Sequence, residues 1–488
     1  MSISVDVYFE EEWPMYIAPA TPYCGFAQRP DGSLYIPESG PHVRISGPTG
    51  IGKTRRLLVP AITMWGFGGG GGPAVVVSSK DDLMQLVCER RWGPKAVIDL
   101  RPDYSPVYPA GVDVITFDPT SSITTPGEAL TVAETIMQMA TVGFGSLADQ
   151  VSDGGTWESQ AAGPLAAILY AASPAGNGGG INWVLRAVDN IAVEGDAVAE
   201  PGWMMAAACV REFEVLALGM MRVLQMPDRQ RDSVAITMRK AVTPWLRATF
   251  QKGVVRTFDP TYLDDPHATL FVISPADGTG AGAAVTLLDS LVRVWRGKVA
   301  RKEKVHRLLM AVDELPNTAP IPSLRRIIGE ARGLEVDVLA AHQADSQLDT
   351  VFGSTYANEL REIFPTTVIM YGAQEFETLE VASKWSGETT RRDESFGKAD
   401  GHKGLNGRFG PVLTAVSLLP EDTDHARMVL RGTPGINVEI PDWLEFRRRY
   451  DEVMRKLLAG HRKTSPELVS AAQGQLAKFW MDERQNHR

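Results

Sequence analysis

Residues 47–54 have the types and the spacing of a loop that holds phosphate groups. They read G-P-T-G-I-G-K-T and match the pattern G-x-x-x-x-G-K-[ST] in full. Glycines permit positive φ angles, so backbone N–H groups can surround phosphate oxygens, and the start of a following helix adds partial positive charge. We expect Lys53 to reach the β- and γ-phosphates of ATP and Thr54 to offer its hydroxyl to Mg²⁺. The residues expected to contact the nucleotide are Gly47, Pro48, Thr49, Gly50, Ile51, Gly52, Lys53, Thr54 and Arg55.

A second stretch, residues 307–314, is an apolar segment that ends in two carboxylates, Asp313 and Glu314. A buried strand with this ending is the Walker B pattern, which would place Asp313 beside the Mg²⁺ held by Thr54. Glu314, one residue further on, is then placed to polarise the attacking water. Adjacent carboxylates also occur at ordinary solvated loop starts, but a full phosphate loop upstream favours the catalytic interpretation.

Two further residues complete the candidate catalytic set. Gln343 ends the next apolar stretch, and we expect its side chain to lie beside the γ-phosphate and to sense it. The alternatives are a Gln side chain that faces a loop, or His342 as the residue in contact. Arg332 is predicted to face a neighbouring subunit and to stabilise transition-state charge there. Its alternative role is a surface salt bridge with Glu330 or Glu335.

The elements that must position these residues alternate along the chain. Apolar, often β-branched stretches are typical of buried parallel strands, and helical spacing separates them. This alternation predicts an α/β fold with a doubly wound, mostly parallel sheet. The predicted strands cover residues 42–46, 74–79, 112–119, 269–274, 308–314, 335–343, 366–372, 412–419 and 428–431.

Residues 121–254 differ from this pattern, because Ala, Met and Leu dominate and helical spacing prevails. We predict an inserted all-α domain there, with helices at residues 127–140, 157–172, 203–224 and 229–242, the last one stopping before Pro244. The other predicted segments are an irregular lead-in (1–40), a nucleotide-binding domain (41–120 and 255–442) and a helical tail (443–488). Residues 389–410 are predicted to be a charged, Gly-rich loop that either contacts DNA or partners or is simply solvated.

Composition limits the functional classes. The net charge of −10 and a pI of about 5.4 exclude a generally basic nucleic-acid-binding surface, so such binding must be local. The three cysteines, Cys24, Cys88 and Cys209, suit neither a disulfide framework nor a metal site. No apolar run approaches the roughly 20 residues of a spanning helix. We therefore expect a cytoplasmic protein that reaches the inner face of the cell membrane through a partner.

These stretches together resemble the coupling-protein ATPases of type IV secretion and bacterial conjugation, the TraG/TraD class. The resemblance runs from residue 43 to about residue 440. Its most specific part is the Walker B stretch with the segments at 330–333 and 342–348. One departure is that Ser78 or Ser79 stands where the family usually has Asp. The other matching segments are the phosphate loop and residues 79–82, 117–119, 157–161 and 431–434.

The resemblance implies a RecA-like motor that hydrolyses ATP with Mg²⁺ and assembles as a homo-hexamer around a channel for DNA, with single-stranded DNA favoured. It also implies delivery of DNA or relaxase substrates to a secretion channel. The net charge of −10 opposes self-assembly, so we expect mostly monomer in dilute solution. Two alternatives stay open, namely a nucleotide-switched adaptor that docks secretion substrates without moving DNA, and an FtsK-type double-strand DNA translocase.

Overall fold

A computed structural model describes residues 21–65, 71–101, 107–142, 154–191, 201–248, 256–396 and 403–461. Fifteen strands and fifteen α-helices are numbered in chain order. The strands are β1 (Ala27–Gln28), β2 (Leu34–Tyr35), β3 (His42–Ser46), β4 (Ala74–Ser78), β5 (Lys95–Asp99), β6 (Val112–Thr116), β7 (Arg256–Thr257), β8 (Thr269–Ile273), β9 (Leu308–Val312), β10 (Val336–His342), β11 (Thr366–Met370), β12 (Glu388–Phe396), β13 (Lys403–Pro411), β14 (His425–Leu430) and β15 (Ile436–Glu439).

The helices lie between and after these strands. They are α1 (Val59–Met64), α2 (Asp82–Cys88), α3 (Pro126–Val142), α4 (Gly154–Ala172), α5 (Gly180–Asp189), α6 (Trp203–Cys209), α7 (Glu214–Leu224), α8 (Asp228–Ala248), α9 (Ala281–Ala300), α10 (Leu315–Thr318), α11 (Leu324–Glu330), α12 (Asp345–Phe352), α13 (Ser354–Ile363), α14 (Phe376–Trp385) and α15 (Trp443–His461). In the described parts of the chain, no helix combines the length and the apolar character that crossing a membrane requires.

One large sheet organises the molecule. Its 11 strands follow the order β15-β14-β11-β3-β10-β9-β4-β8-β5-β6-β7. All neighbouring pairs from β11 to β7 are parallel, and only β14 and β15 run antiparallel to their neighbours. Apolar clusters cover both faces, with α1, α2 and α15 on one face and α3, α9 and α11 on the other. The predicted α/β class with a doubly wound, mostly parallel sheet is confirmed.

The central strands are buried on both faces, and their sequences explain why. Every residue of β3, β4, β8, β9, β10 and β11 is buried. Continuous runs of Val, Ile and Leu suit this position, because helices cover a parallel sheet on both sides. The antiparallel β14 and β15 extend the sheet beyond β11, where parallel pairing was predicted. Residues 431–435 connect β14 to β15, a short connection that antiparallel strands permit, whereas residues 371–424 separate β11 from β14.

Helices α3 to α8 lie between β6 and β7 in the chain and pack around α4. The region predicted as one helix at residues 203–224 forms two helices, α6 and α7. Val210 and Phe213 lie between them, and Phe213 turns its ring edge-on to Tyr170 of α4 at 5.1 Å. The chain turns between α6 and α7 at the position where Phe213 packs against α4.

The predicted stop before Pro244 is wrong, because α8 continues to Ala248. A proline inside a helix removes one backbone hydrogen bond and costs about 3 kcal/mol. Packing of α8 offsets that cost, since Pro244 lies against Gly282 of α9, where an added methyl group would come within 3.3 Å of the ring. The boundaries proposed for the domains at residues 1–40, 41–120, 121–254, 255–442 and 443–488 stay predictions.

Three other expectations were wrong or incomplete. Strand β5 and helix α5 were not predicted, and residues 412–419 form no strand. Their apolar side chains, including Leu413 and Leu418, instead pack in a small cluster with Leu379 of α14. The segment at 389–410, predicted to be a loop, contains most of the paired strands β12 and β13, which form a separate two-stranded sheet.

Candidate functional site

The phosphate loop follows β3 and leads into a helix, as predicted. A π-helical turn at Thr54–Leu58 continues directly into α1. Gly50 and Gly52 have φ angles of 82° and 94°, a region that disfavours residues with a Cβ atom. Lys53 lies over its own loop, donating hydrogen bonds to the carbonyl oxygens of Gly47 at 2.5 Å and Pro48 at 3.0 Å. Burial lowers the pKa of Lys53, while Asp313 and Glu314 oppose that shift.

The predicted site residues meet because neighbouring parallel strands end at the same edge of the sheet. The phosphate loop follows β3, Gln343 follows β10, and Asp313 follows β9; these three strands are adjacent in the order β3-β10-β9. Parallel strands bring their carboxyl ends to one edge, where open α/β sheets bind ligands. The sheet order therefore brings residues together that are about 260 to 300 positions apart in the chain.

Asp313 faces two hydroxyl groups. Thr54 Oγ1 donates to Asp313 Oδ2 at 3.2 Å, and Ser78 Oγ lies 3.4 Å from the same oxygen. Burial raises the pKa of Asp313 to about 6, with Thr54 and Lys53 acting in the opposite direction. A carboxylate beside a threonine hydroxyl offers the hard oxygen ligands that Mg²⁺ prefers. The residues present therefore fit a magnesium ion.

Glu314 has an unusual backbone conformation. Its φ of 65° and ψ of 58° place it in the left-handed region, directly between β9 and α10. For a residue with a Cβ atom this conformation costs about 1–2 kcal/mol, and such residues cluster at functional sites. The carboxylate oxygen Oε1 accepts hydrogen bonds from Asn317 Nδ2 at 2.8 Å and from Gln343 Nε2 at 2.6 Å. Asn317 and Ser78 had no predicted catalytic role, and their contacts with the two carboxylates place them in the candidate site.

Gln343 connects the phosphate loop with Glu314. Its Oε1 accepts a hydrogen bond of 2.5 Å from Thr49 Oγ1 of the phosphate loop, and its amide donates to Glu314. His342, the alternative residue for contact with nucleotide, points away from this edge. Its ring is buried, and Nε2 lies 3.0 Å from Asp345 Oδ1. Of the two neighbours, Gln343 is the one that reaches the phosphate loop.

The arginines next to the phosphate loop are engaged with other groups. Arg55 binds Asp442 through two hydrogen bonds of 3.1 and 2.9 Å. Arg56 donates to Asp424 and to the carbonyl oxygen of Ile440, both at 2.7 Å. Arg55, expected to contact nucleotide, thus directs its guanidinium toward the segment before α15.

Arg332 lies far from the other candidate residues of its own chain. It belongs to the 3₁₀ turn Ala331–Leu334, which precedes β10, whereas Gln343 follows that strand. Strand β10 has seven residues, so the turn lies roughly 20 Å from Gln343 at the opposite edge of the sheet. The side chain of Arg332 lies outside the described residues. Glu330, one proposed salt-bridge partner, pairs with Arg296 at 2.8 Å.

Solved structures share this architecture. The unbound form of the bacterial conjugative coupling protein TrwBdeltaN70 has a TM-score of 0.57 and 18% identity, over 85% of this chain and 88% of that one. The structure of TrwB with ADP and Mg²⁺ has a TM-score of 0.55 and 16% identity, over 89% of this chain and 90% of that one. The structure of TrwB with the ATP analogue ADPNP has a TM-score of 0.54 and 17% identity, over 83% of this chain and 86% of that one. At these identities the likeness shows the RecA-type fold.

Sequence comparison identifies the family. No curated protein sequence matches the chain significantly. The profile of one protein family does match, from residue 14 to residue 408, and this range contains the phosphate loop and all the candidate residues after the central strands. Since the match covers well over half of the chain, the protein belongs to the type IV secretory system conjugative DNA transfer family, whose resemblance the motifs had indicated.

Proposed function

We propose that this protein is an ATP-hydrolysing coupling protein that recruits and translocates DNA or relaxase–DNA substrates during conjugation or type IV secretion. The observation that carries the proposal is the convergence of the phosphate loop, Asp313, Glu314 and Gln343 at one sheet edge. Family membership supplies the process, and the geometry of these four elements supports the reaction.

The distances support one role for each residue. Lys53 would bind the β- and γ-phosphates once its nitrogen leaves the carbonyl oxygens of its own loop. Thr54 and Asp313 would hold Mg²⁺, which neutralises phosphate charge when bound. Glu314 would orient and polarise the attacking water, and Gln343 would sense the γ-phosphate. The structures of the relative TrwB with ADPNP and with ADP and Mg²⁺ support these ligands.

The proposal also includes a ring of subunits in which Arg332 of one subunit acts at the ATP site of its neighbour. Transferring a phosphoryl group requires a cation near the developing charge, and an arginine supplied in trans is worth about 10³–10⁵ in rate. Arg55 and Arg56 are engaged with carboxylates, and Arg332 lies at the opposite sheet edge. This placement supports action in trans and disfavours action on its own site. The homo-hexamer around a DNA channel, and the monomer in dilute solution, belong to the same proposal.

One assay separates the proposed function from its alternatives. ATP hydrolysis is measured for the wild type and for Lys53→Ala, without DNA and with single-stranded or double-stranded DNA. We expect slow hydrolysis that single-stranded DNA stimulates and that Lys53→Ala abolishes. If the wild type binds ATP but does not hydrolyse it in any of the three conditions, the switched adaptor is favoured. Stimulation by double-stranded DNA alone would favour the FtsK-type translocase.

A further inference from the structure

A buried ionic cluster lies directly beneath the candidate catalytic edge. Arg44 of β3 binds Glu375, which precedes α14, through two hydrogen bonds of 2.8 and 3.0 Å. The two side chains are 2% and 1% exposed. Thr378 joins the pair, accepting from Arg44 at 3.3 Å and donating to Glu375 at 2.9 Å. A bidentate pair of this kind fixes orientation as well as distance.

The cluster contacts the chain on both sides of Gln343, through His342 and Asp345. On one side, His342 Nε2 lies 3.4 Å from Glu375 Oε1 and 3.0 Å from Asp345 Oδ1. On the other side, Asp345 at the start of α12 accepts a hydrogen bond of 3.0 Å from Arg44. The four-residue turn 342–345 is therefore attached to the cluster at both ends, while the side chain of Gln343 between them points to Glu314 and Thr49.

A metal ion is a poor occupant of this cluster. Ligand atoms of His342, Asp345 and Glu375 lie within 4.8 Å of one another, a spacing that suits a cation. The guanidinium of Arg44 already contacts both carboxylates and supplies the positive charge. Burial alone would raise the pKa of Glu375, but Arg44 and His342 outweigh it and hold that pKa well below its usual value. Arg361 lies 3.5 Å from the second oxygen of Asp345, so both carboxylates already have cationic partners, which favours a structural or positional function.

We infer that Arg44 and Glu375 are positioning residues that hold the turn 342–345 so that the Gln343 amide reaches Glu314. The inference rests on the proposed function, because it assigns a role in ATP hydrolysis. Interior packing transmits small displacements, and a misplacement of about 1 Å can cost about 100-fold in rate. A turn released from Glu375 would let Gln343 withdraw from Glu314 without disturbing the phosphate loop, so turnover should suffer more than nucleotide binding.

The test compares two ion pairs that resemble each other in geometry. Glu375→Gln keeps the shape of the side chain but breaks the ion pair with Arg44. The control is Asp451→Asn, which breaks the bidentate pair between Arg90 and α15, with distances of 2.6 and 2.7 Å, on the other face of the sheet. We expect Glu375→Gln to lower kcat for ATP at least about tenfold with little change in KM. Asp451→Asn should leave both constants close to those of the wild type.

A double-mutant cycle checks that the effect passes through Gln343. In a Gln343→Ala background, Glu375→Gln should cause no further loss of kcat, because coupled residues are not additive. Thr378→Val, which removes two hydrogen bonds and keeps the ion pair, should give a smaller loss in the same direction and covers the case that Glu375→Gln does not fold. Equal kcat for Glu375→Gln and Asp451→Asn, or full additivity with Gln343→Ala, would overturn the inference.

A readout without turnover separates this inference from the proposed function. The backbone N–H groups of Gln343 and Ala344 donate to Gln347 Oε1 at 3.2 and 3.3 Å. Hydrogen exchange of the peptide containing these amides should be faster in Glu375→Gln than in Asp451→Asn. A wild type that does not hydrolyse ATP would contradict the proposed function, whereas unchanged exchange in this peptide would contradict the positioning role.

Discussion

The side-chain amide of Gln343 donates a hydrogen bond of 2.6 Å to the carboxylate of Glu314, although 29 positions separate the two residues in the chain. The same amide accepts from Thr49 of the phosphate loop at 2.5 Å. One side chain thus contacts both the loop that would bind the γ-phosphate and the carboxylate that would polarise water. A phosphate bound at this edge would compete for the contacts of Gln343, and we propose that the side chain senses the phosphate in this way.

Replacing Gln343 should therefore impair turnover more than binding. We expect Gln343→Ala to reduce kcat by about 100- to 1,000-fold, the range typical of one lost stabilising donor. Gln343→Glu should be at least as impaired, because it brings a second carboxylate next to Glu314. Steady-state hydrolysis and equilibrium binding of a fluorescent ATP analogue measure the two properties. Gln230→Ala, at an exposed position of α8, is the control, and wild-type kcat in Gln343→Ala would exclude the sensing role.

Lys53→Ala and Glu314→Gln should fail in different ways. Lys53→Ala removes the charge that binds the phosphates, so the affinity for nucleotide itself should fall. Glu314→Gln keeps the shape of the side chain but cannot polarise water, so ATP should bind normally and not turn over. Titration of both variants with a fluorescent ATP analogue distinguishes these outcomes. Turnover at the wild-type rate in Glu314→Gln would remove that residue from its assigned role.

Mixing two inactive variants tests whether Arg332 acts on a neighbour. Arg332→Ala keeps its own phosphate loop, and Lys53→Ala still offers Arg332 to the adjacent subunit. We expect each to be inactive alone and the mixture to recover part of the wild-type rate under conditions where the variants assemble together. Light scattering confirms assembly. If the co-assembled mixture stays inactive where the wild type is active, the salt-bridge role of Arg332 is the better interpretation.

Shortening the hairpin of β12 and β13 should affect DNA and spare the fold. Among the residues that the structure describes, these two strands pair only with each other, and Thr390 lies opposite Phe409. Replacing residues 391–408 by Asn-Gly gives a two-residue hairpin turn and removes five Lys and Arg residues. We expect an unchanged melting temperature and basal hydrolysis but a loss of stimulation by DNA and of its salt dependence. Full stimulation of the shortened protein would show that the hairpin is merely solvated.

His42 should make stability fall in mild acid. Burial, assisted by Arg307, lowers the pKa of His42 to about 4, and its Nδ1 accepts a hydrogen bond from the backbone N–H of Val338. Between pH 6.5 and about 4 the unfolded chain binds a proton that the folded chain refuses, so stability is lost as the pH falls, by at most about 1.4 kcal/mol per unit.

His42→Asn keeps an acceptor for Val338 and cannot titrate, so it isolates this effect. The difference in unfolding free energy between the wild type and His42→Asn should shrink from pH 7 to pH 4. Urea unfolding followed by circular dichroism measures it, and His425→Asn, on the surface, serves as the control. A difference that stays constant across this pH range would show that folding does not lower the pKa of His42.

Much of the site was predictable because its chemistry is local in the chain. The phosphate loop is eight consecutive residues, and its two glycines with positive φ angles are required by the curl of the backbone itself. The Walker B carboxylates follow a continuous apolar strand, a pattern typical of burial in a parallel sheet. The strands β3, β4, β8, β9, β10 and β11 were predicted for the same reason.

The tertiary structure decided what depends on contacts between distant residues. Arg44 and Glu375 are 331 positions apart, and neither has a sequence pattern that marks it as buried and paired. Contacts with neighbours in space determine three further features: the antiparallel pairing of β14, the hairpin of β12 and β13, and the continuation of α8 beyond Pro244. Local propensity cannot predict them, because packing routinely overrides it.

The choice between His342 and Gln343 shows the limit most clearly. Both residues stand at the end of β10, and the sequence predicts that a polar side chain there lies near the γ-phosphate. Successive side chains at a strand end point in opposite directions, so only one of the two can face the nucleotide edge. The sequence contains no information on which side that edge lies. The register of β10 between β3 and β9 directs Gln343 to Glu314 and His342 into the ionic cluster.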